Sequence, residues 1–304
     1  MKRLPIYIIS ALVALAAIGC NEQYITYNDN SYVMFSEQEQ YFLVQEQQEY
    51  FSVAVGATVA SKEDRTFGVE IIDKGSNAIE GKHYRLLSNS VTIPAGKLSG
   101  EVRVKGMYEN IGPADSLGFI LKLIVPEEME WNDLYTDGTQ TKVVMYKSCP
   151  FDINNFTGWV LVSSMFLQSY PGDNVSYQRV SEAVLHPTEK NTIILKDCFY
   201  NGYDVRIKFH GDDPEKPLIT MEKGQVLTDE QSVLGWIVGD DHILGTNSPY
   251  YDSYFNACQG FAVLWLEAYV ENLGEPVGTI GHFYNVLEWI SKEEADEIKA
   301  ELGL

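Results

Sequence analysis

The segment Asn247-Ser-Pro-Tyr-Tyr-Asp-Ser-Tyr-Phe-Asn256 sets three tyrosines among Asp, Ser and Asn side chains around a proline. Flat aromatic rings stack on the apolar faces of sugar rings, while Asp and Asn hold the hydroxyls by hydrogen bonds. Tyr250, Tyr251 and Tyr254 are therefore candidate ligand-binding residues. Trp159, Trp236 and Trp265 are spread through the same half of the chain, and Trp236 joins the candidates. The competing reading makes the tryptophans core fillers and the tyrosines ordinary rim residues.

Hydrolytic and metal chemistry find less support. The five histidines, His83, His186, His210, His242 and His282, include no pair at the i, i+4 spacing of a helical zinc site. His210-Gly-Asp-Asp213 and Asp240-Asp241-His242 place carboxylates beside imidazoles, a pattern that solvated loop residues explain better. GxSxG and SxxK are absent. Glycoside hydrolysis needs two facing carboxylates, and among 43 acidic residues no pair stands out. The expectation is a non-catalytic protein with no metal and no cofactor.

Cys20 is the remaining reactive side chain of note. Lys2 and Arg3 precede an apolar run from Ile8 to Ile18, interrupted only by Ser10 and closed by Gly19-Cys20. The run is too short to span a bilayer and has the layout of a secretion signal. Its Gly-Cys ending resembles a bacterial lipoprotein signal, in which the cysteine is lipidated and becomes the first mature residue. That resemblance implies removal of residues 1–19, lipid attachment at Cys20 and a polar tether over 20–30. No second apolar run approaches the ~20 residues of a spanning helix, so membrane contact is expected through the lipid alone.

Composition narrows the partners. With 43 Asp and Glu against 22 Lys and Arg, the net charge is −21. Such a chain repels nucleic acid phosphates and anionic lipid headgroups alike. Apart from Cys20, three cysteines remain, Cys149, Cys198 and Cys258, an odd number. Cys198 and Cys258 could pair in an oxidising compartment, but the preferred reading has all three as small buried hydrophobes.

The elements that carry these residues read as strands. Glu49–Val55, Thr66–Asp73, Gly100–Lys105, Leu117–Val125 and Gln140–Tyr146 show period-two patterning with turn residues between them. They predict a β-sandwich over 31–147. Pro150 interrupts the pattern, and Gly158–Ser163, Val175–Leu185, Asn191–Leu195, Asp204–His210, Leu234–Val238 and Gly260–Tyr269 predict a second antiparallel β domain over 148–304, barrel or sandwich. The fold class is mainly β. Ser291-Lys-Glu-Glu294 is a capping box opening a short C-terminal helix, with Ala295, Ile298 and Leu302 on one face and Gly303 at its end.

Glu80-Gly81-Lys-His83-Tyr84, Val91-Thr-Ile-Pro-Ala-Gly96, Gly100-Glu-Val-Arg-Val104 and Asp115-Ser-Leu-Gly-Phe-Ile-Leu-Lys-Leu123 resemble the turns and strands of Calx-beta-like sandwich domains. Gly81 and Gly96 suit turn conformations that β-carbons resist, and Tyr84 can pack on the end of the sandwich. Some relatives bind calcium, but His83 replaces the turn aspartate and no acidic cluster follows Val104, so calcium is not expected. Cys149-Pro-Phe-Asp152 and Phe156-Thr-Gly158 add a resemblance to Bacteroidetes surface lipoproteins with a C-terminal domain of unknown function. That kinship implies outer-membrane placement, a partner in a nutrient-import complex and glycan handling. It implies the cell surface ahead of a periplasm-facing orientation, although Glu22 alone represents the acidic export pattern. It also marks Ser116, in Asp115-Ser116-Leu117, as a candidate O-glycosylation acceptor. An adhesion or assembly lipoprotein without a sugar ligand is the alternative.

Overall fold

The computed structural model describes residues 31–131, 137–229 and 242–303. Residues 1–30 with Cys20, the strand expected at 234–238 with Trp236, and the acidic pair before His242 lie outside them.

Alternating apolar side chains sort the first half into two facing sheets. One has the order β1 (Val33–Phe35), β3 (Phe51–Ala57), β7 (Ser99–Gly106), β5 (Tyr84–Leu86). The other runs β2 (Glu39–Gln45), β9 (Gln140–Ser148), β8 (Leu117–Ile124), β4 (Arg65–Ile72), β6 (Ser90–Ile93). β2 lies parallel to β9, so an early and a late strand of the unit are neighbours. Val53 and Val55 from one sheet meet Phe67, Val69, Leu121 and Met145 from the other in a single core. Each such side chain contributes about 1.5–3 kcal/mol by leaving water.

The turn glycines behave as their sequence context predicts. Gly81 and Gly96 have φ of +80° and +72°, the left-handed region that a β-carbon resists. Tyr84 is buried and stacks on Phe119 with ring centroids 3.8 Å apart. His83 is also buried, and its Nδ1 accepts the Ile79 N–H at 3.0 Å.

The second half closes on itself. Neighbours run β10 (Gly158–Ser164), β11 (Gln178–Leu185), β12 (Thr192–Lys196), β13 (Val205–His210), β14 (Leu218–Thr220), β17 (Tyr254–Asn256) and β18 (Phe261–Asn272). β19 (Glu275–Ile290) then pairs with β18 on one edge and β10 on the other, which makes the ring a barrel. β19 is 16 residues long, yet periodicity does not announce it. Pro276, Gly278 and Gly281 spoil the alternation in its first half, and only Phe283, Asn285 and Leu287 mark an inward face.

β15 (Gln225–Thr228) and β16 (Ile243–Asn247) complete the wall, β16 pairing with the far half of β18. Between β15 and β13 a side chain replaces a ladder rung. Gln225 Oε1 accepts the Arg206 N–H at 2.6 Å and its Nε2 donates to the Arg206 carbonyl at 2.8 Å. Inside, Val160, Ile193, Ile207, Phe209 and Leu264 fill the barrel. Ser164 caps a short helix, α1 (Met165–Ser169), and its hydroxyl donates to Asn285 Oδ1 at 2.6 Å in the buried interior. The C-terminal helix, α2 (Lys292–Leu302), carries the expected capping box and a left-handed Gly303. It packs against β10 and β11, with Lys299 Nζ 3.6 Å above the Trp159 ring.

Cys149 and Cys258 depart from both readings of the sequence, while Cys198 is the small buried residue that the preferred reading expects. Cys149 and Cys258 form a disulfide across 109 residues, and among the described residues Cys198 is the buried free thiol. Sequence position could not select this pair. It arises because the turn between β17 and β18 folds back onto the link leaving β9.

Candidate functional site

β16 follows one edge of β18 as far as Asn247, opposite Leu266. The chain rejoins that same edge at Tyr254, opposite Val263. Residues 248–253 therefore stand across from Leu264 and Trp265 alone, and the surplus is thrown outward. Trp265 pins both ends of the excursion. Its carbonyl accepts the Ser248 N–H at 2.8 Å, and its own N–H donates to Ser253 Oγ at 2.9 Å. Ser248 and Ser253 are buried, while Pro249 to Asp252 are exposed.

Strand alternation supplies the surface under this loop. Leu264 and Leu266 point into the barrel, so Trp265 faces out. Register places Trp265 opposite Tyr284 and Glu267 opposite His282 on the same outer face. The Tyr251 ring stacks on Trp265 at 4.2 Å between centroids, and Trp265 meets Tyr284 edge-on at 5.1 Å. Tyr250 stands edge-on to His282 at 4.9 Å, and Tyr254 to Phe261 at 6.5 Å. Each aromatic pair contributes about 0.5–1.5 kcal/mol beyond its buried area. The result is a shelf whose upper rings remain accessible: Tyr250, Tyr251 and Tyr254 are 73%, 52% and 40% exposed.

The shelf is neutral at its centre and acidic at its margin. Burial, then the neighbouring Tyr254, raises the Tyr284 phenol above its ordinary pKa, so it stays protonated near neutrality. Glu267 accepts from Thr279 Oγ1 at 2.8 Å, and Asp252 is exposed on the loop. Ring faces and carboxylate acceptors thus lie together, a combination suited to a polyhydroxylated ring.

The structure brings together Tyr250, Tyr251 and Tyr254, whereas Trp236 is outside the described residues. Trp265 is no core filler; it is the half-buried floor of the shelf, and Tyr284 and His282 complete it. The run Phe261–Tyr269 is almost wholly apolar, and Glu267, two residues on and so on the same strand face, was the one local sign that Trp265 faces outward. Nothing local marked Tyr284 or His282, because their strand is poorly patterned. The Asn247 side chain is engaged within the barrel wall, its Oδ1 accepting the Met221 N–H and its Nδ2 donating to the Ile219 carbonyl. Trp159 lies apart, beneath Lys299. Ser116 is exposed in a loop, where Asn77 Nδ2 donates to its carbonyl at 3.0 Å.

The other histidines have local duties. His210 Nε2 lies 2.8 Å from Thr220 Oγ1, and His186 Nδ1 accepts the Glu189 N–H at 3.0 Å. Among the described residues no three His, Cys, Asp or Glu side chains gather closely enough to hold a metal ion.

A family model described as a domain of unknown function (DUF4984) matches residues 134–301, more than half of the chain. None of the curated proteins matches it. Among solved structures, a Bacteroides ovatus protein of unknown function is similar at 10% identity, covering 85% of this chain and 94% of that one with a TM-score of 0.35. An auxiliary nutrient binding protein from Bacteroides thetaiotaomicron is similar at 13% identity, covering 83% and 90% with a TM-score of 0.29. The apo form of a Calx CBD1 domain is similar at 15% identity, covering 40% of this chain and 100% of its own with a TM-score of 0.31.

Proposed function

The chain belongs to the DUF4984 family of domains of unknown function, and from that premise we propose a non-catalytic, lipid-anchored protein of the outer-membrane surface that binds carbohydrate for a nutrient-import system. The observation that carries the sugar-binding reading is the Tyr251 ring, 52% exposed and stacked on Trp265. Buried aromatic stacks stabilise a core; this one presents a face to solvent. The anchoring half of the reading is supported by the basic start, apolar run and Gly19-Cys20 of the N-terminus. The sandwich would act as a spacer and the barrel as the binding unit.

Affinity electrophoresis through gels containing xylan, mannan or soluble starch tests the sugar reading. At least one polysaccharide should retard the wild-type chain, and Tyr251→Ala and Trp265→Ala should each weaken retention tenfold or more. Migration of wild type and variants alike in every gel would discard it. Incorporation of a palmitate analogue that is lost in Cys20→Ser tests the anchor.

One observation favours a protein-contacting alternative, an adhesion or assembly lipoprotein. The β18–β19 turn projects Leu273, 90% exposed, beside Gly274, with both residues at positive φ. Recovery of an outer-membrane protein that depends on Leu273 and ignores added sugar would favour it.

A further inference from the structure

The cleft between the sandwich and the barrel has a different construction from the shelf. It encloses about 400 Å³ and is walled by the turn after β2, the link after β9, the segment after β13 and the β17–β18 turn. Ligand sites concentrate at domain junctions, with volumes of about 300–1,000 Å³.

Its lining pairs apolar surface with free hydrogen-bonding groups. Phe151, Pro214 and Pro217 supply the apolar part. Phe151 reaches its place only because residue 211 is glycine, where a β-carbon would lie 2.1 Å from the ring. Asn256 Oδ1 accepts the N–H groups of Cys258 and Gln259 at 2.9 and 3.0 Å, leaving the Nδ2 hydrogens for another acceptor. Asp213 Oδ1 accepts the Glu215 N–H at 2.9 Å, leaving Oδ2 for another donor. Glu46 adds a second carboxylate, and Lys147, the cation of the lining, sits 4.1 Å above the Tyr108 ring.

The two sides are held in register. Cys149 and Cys258 both line the cleft and are covalently joined, and Gln259 Nε2 donates to the Pro113 carbonyl at 3.1 Å across the same junction. A cavity held open in this way incurs little ordering cost on binding.

We propose that this cleft is a second carbohydrate subsite, selective for short neutral oligosaccharides. Donor and acceptor side chains over proline and phenylalanine suit a ring that has both hydroxyls and an apolar face. Glu46 and Asp213 outnumber Lys147, so uronate sugars are rejected by like charge. The inference shares its ligand class with the shelf reading and needs none of the shelf residues.

The test is titration calorimetry on the full chain carrying Tyr251→Ala, with xylotriose, mannotriose, maltotriose and trigalacturonate as probes. At least one neutral trisaccharide should still bind, trigalacturonate should not, and Asp213→Asn and Asn256→Asp should each lower affinity tenfold or more. Both substitutions keep the oxygen that caps the local turn, so the fold should survive. If either variant unfolds, hydrogen exchange of the Tyr251→Ala chain should still show sugar-dependent protection at 213–217 and 256–258. Loss of all binding in Tyr251→Ala would overturn the cleft and leave the shelf standing. Unchanged affinity in the folded cleft variants, or protection elsewhere only, would overturn it as well. Failure of the wild-type chain to bind any neutral trisaccharide would overturn the cleft, while the shelf stands or falls on the polysaccharide gels.

Discussion

At the scale of single residues, His83 shows how a turn position can tie stability to pH. It stands where the resembled turn carries an aspartate, and its Nδ1 accepts a backbone N–H from Ile79. Burial first, and then the Lys82 charge, hold its pKa below the ordinary 6.5. The folded protein therefore favours the neutral ring, while the unfolded chain takes up the proton first as pH falls. Stability should be full above about 6.5 and decline as pH drops toward the lower folded value. Thermal melts at pH 7.5 and 5.5 should show a fall that flattens in His83→Asn, which keeps an acceptor but cannot titrate. An equal fall in both proteins would refute this assignment. Trp265 makes a similar point about dual duty. One residue pins the loop by its backbone and supports Tyr251 by its ring, so Trp265→Ala should damage the shelf while leaving the loop's backbone bonds in place.

Elements of this barrel are joined by side chains where strands fall short. Gln225 bonds both backbone groups of Arg206, bridging β13 to β15 below the point where β14 and β17 take over. Gln225→Ala would strip partners from a carbonyl and an N–H and should cost about 1–3 kcal/mol in urea denaturation. Gln225→Glu keeps an acceptor but sets a buried carboxylate oxygen against the Arg206 carbonyl, so it should cost at least as much as Gln225→Ala. Asn285 has a comparable place inside the barrel. Its Nδ2 donates to the carbonyls of Leu264 and Phe283 at 3.0 and 2.9 Å, and its Oδ1 accepts from Ser164, which also caps α1. Asn285→Leu should destabilise by more than its added apolar surface returns, because the Ser164 hydroxyl and two carbonyls each lose a buried hydrogen bond. A variant as stable as wild type would show that these bonds contribute nothing net.

The molecule as a whole is a sandwich and a barrel joined at one junction. The disulfide there closes a loop of 109 residues. Loops of that order are stabilised by about 2–5 kcal/mol when cross-linked. Cys149→Ser with Cys258→Ser should lower the denaturation midpoint, and reductant should do the same to wild type without further effect on the variant. Cys198→Ala should leave reductant sensitivity unchanged, since that thiol is buried and unpaired. If the double variant kept the wild-type midpoint, the cross-link would have no part in stability. The net charge of −21 acts at this scale too, opposing association with polyanions whatever the local site.

What the sequence determined by itself was local. Period-two patterning marked strands at Leu117–Val125 and Asn191–Leu195, which the structure sets within a residue at Leu117–Ile124 and Thr192–Lys196, and the Ser291/Glu294 spacing marked the last helix. Gly81 and Gly96 marked left-handed turns, and the Tyr250–Tyr254 cluster marked one half of the shelf. These signals live within a few neighbours, where backbone sterics and alternating burial act directly on the chain. The tertiary structure alone decided that β19 closes a barrel, that Cys149 pairs with Cys258, and that Trp265, Tyr284 and His282 come to lie beneath the tyrosines. It also opened the cleft, whose walls come from four separate stretches of chain. Each of those outcomes depends on the register and packing of residues far apart in sequence, a relation no local pattern encodes.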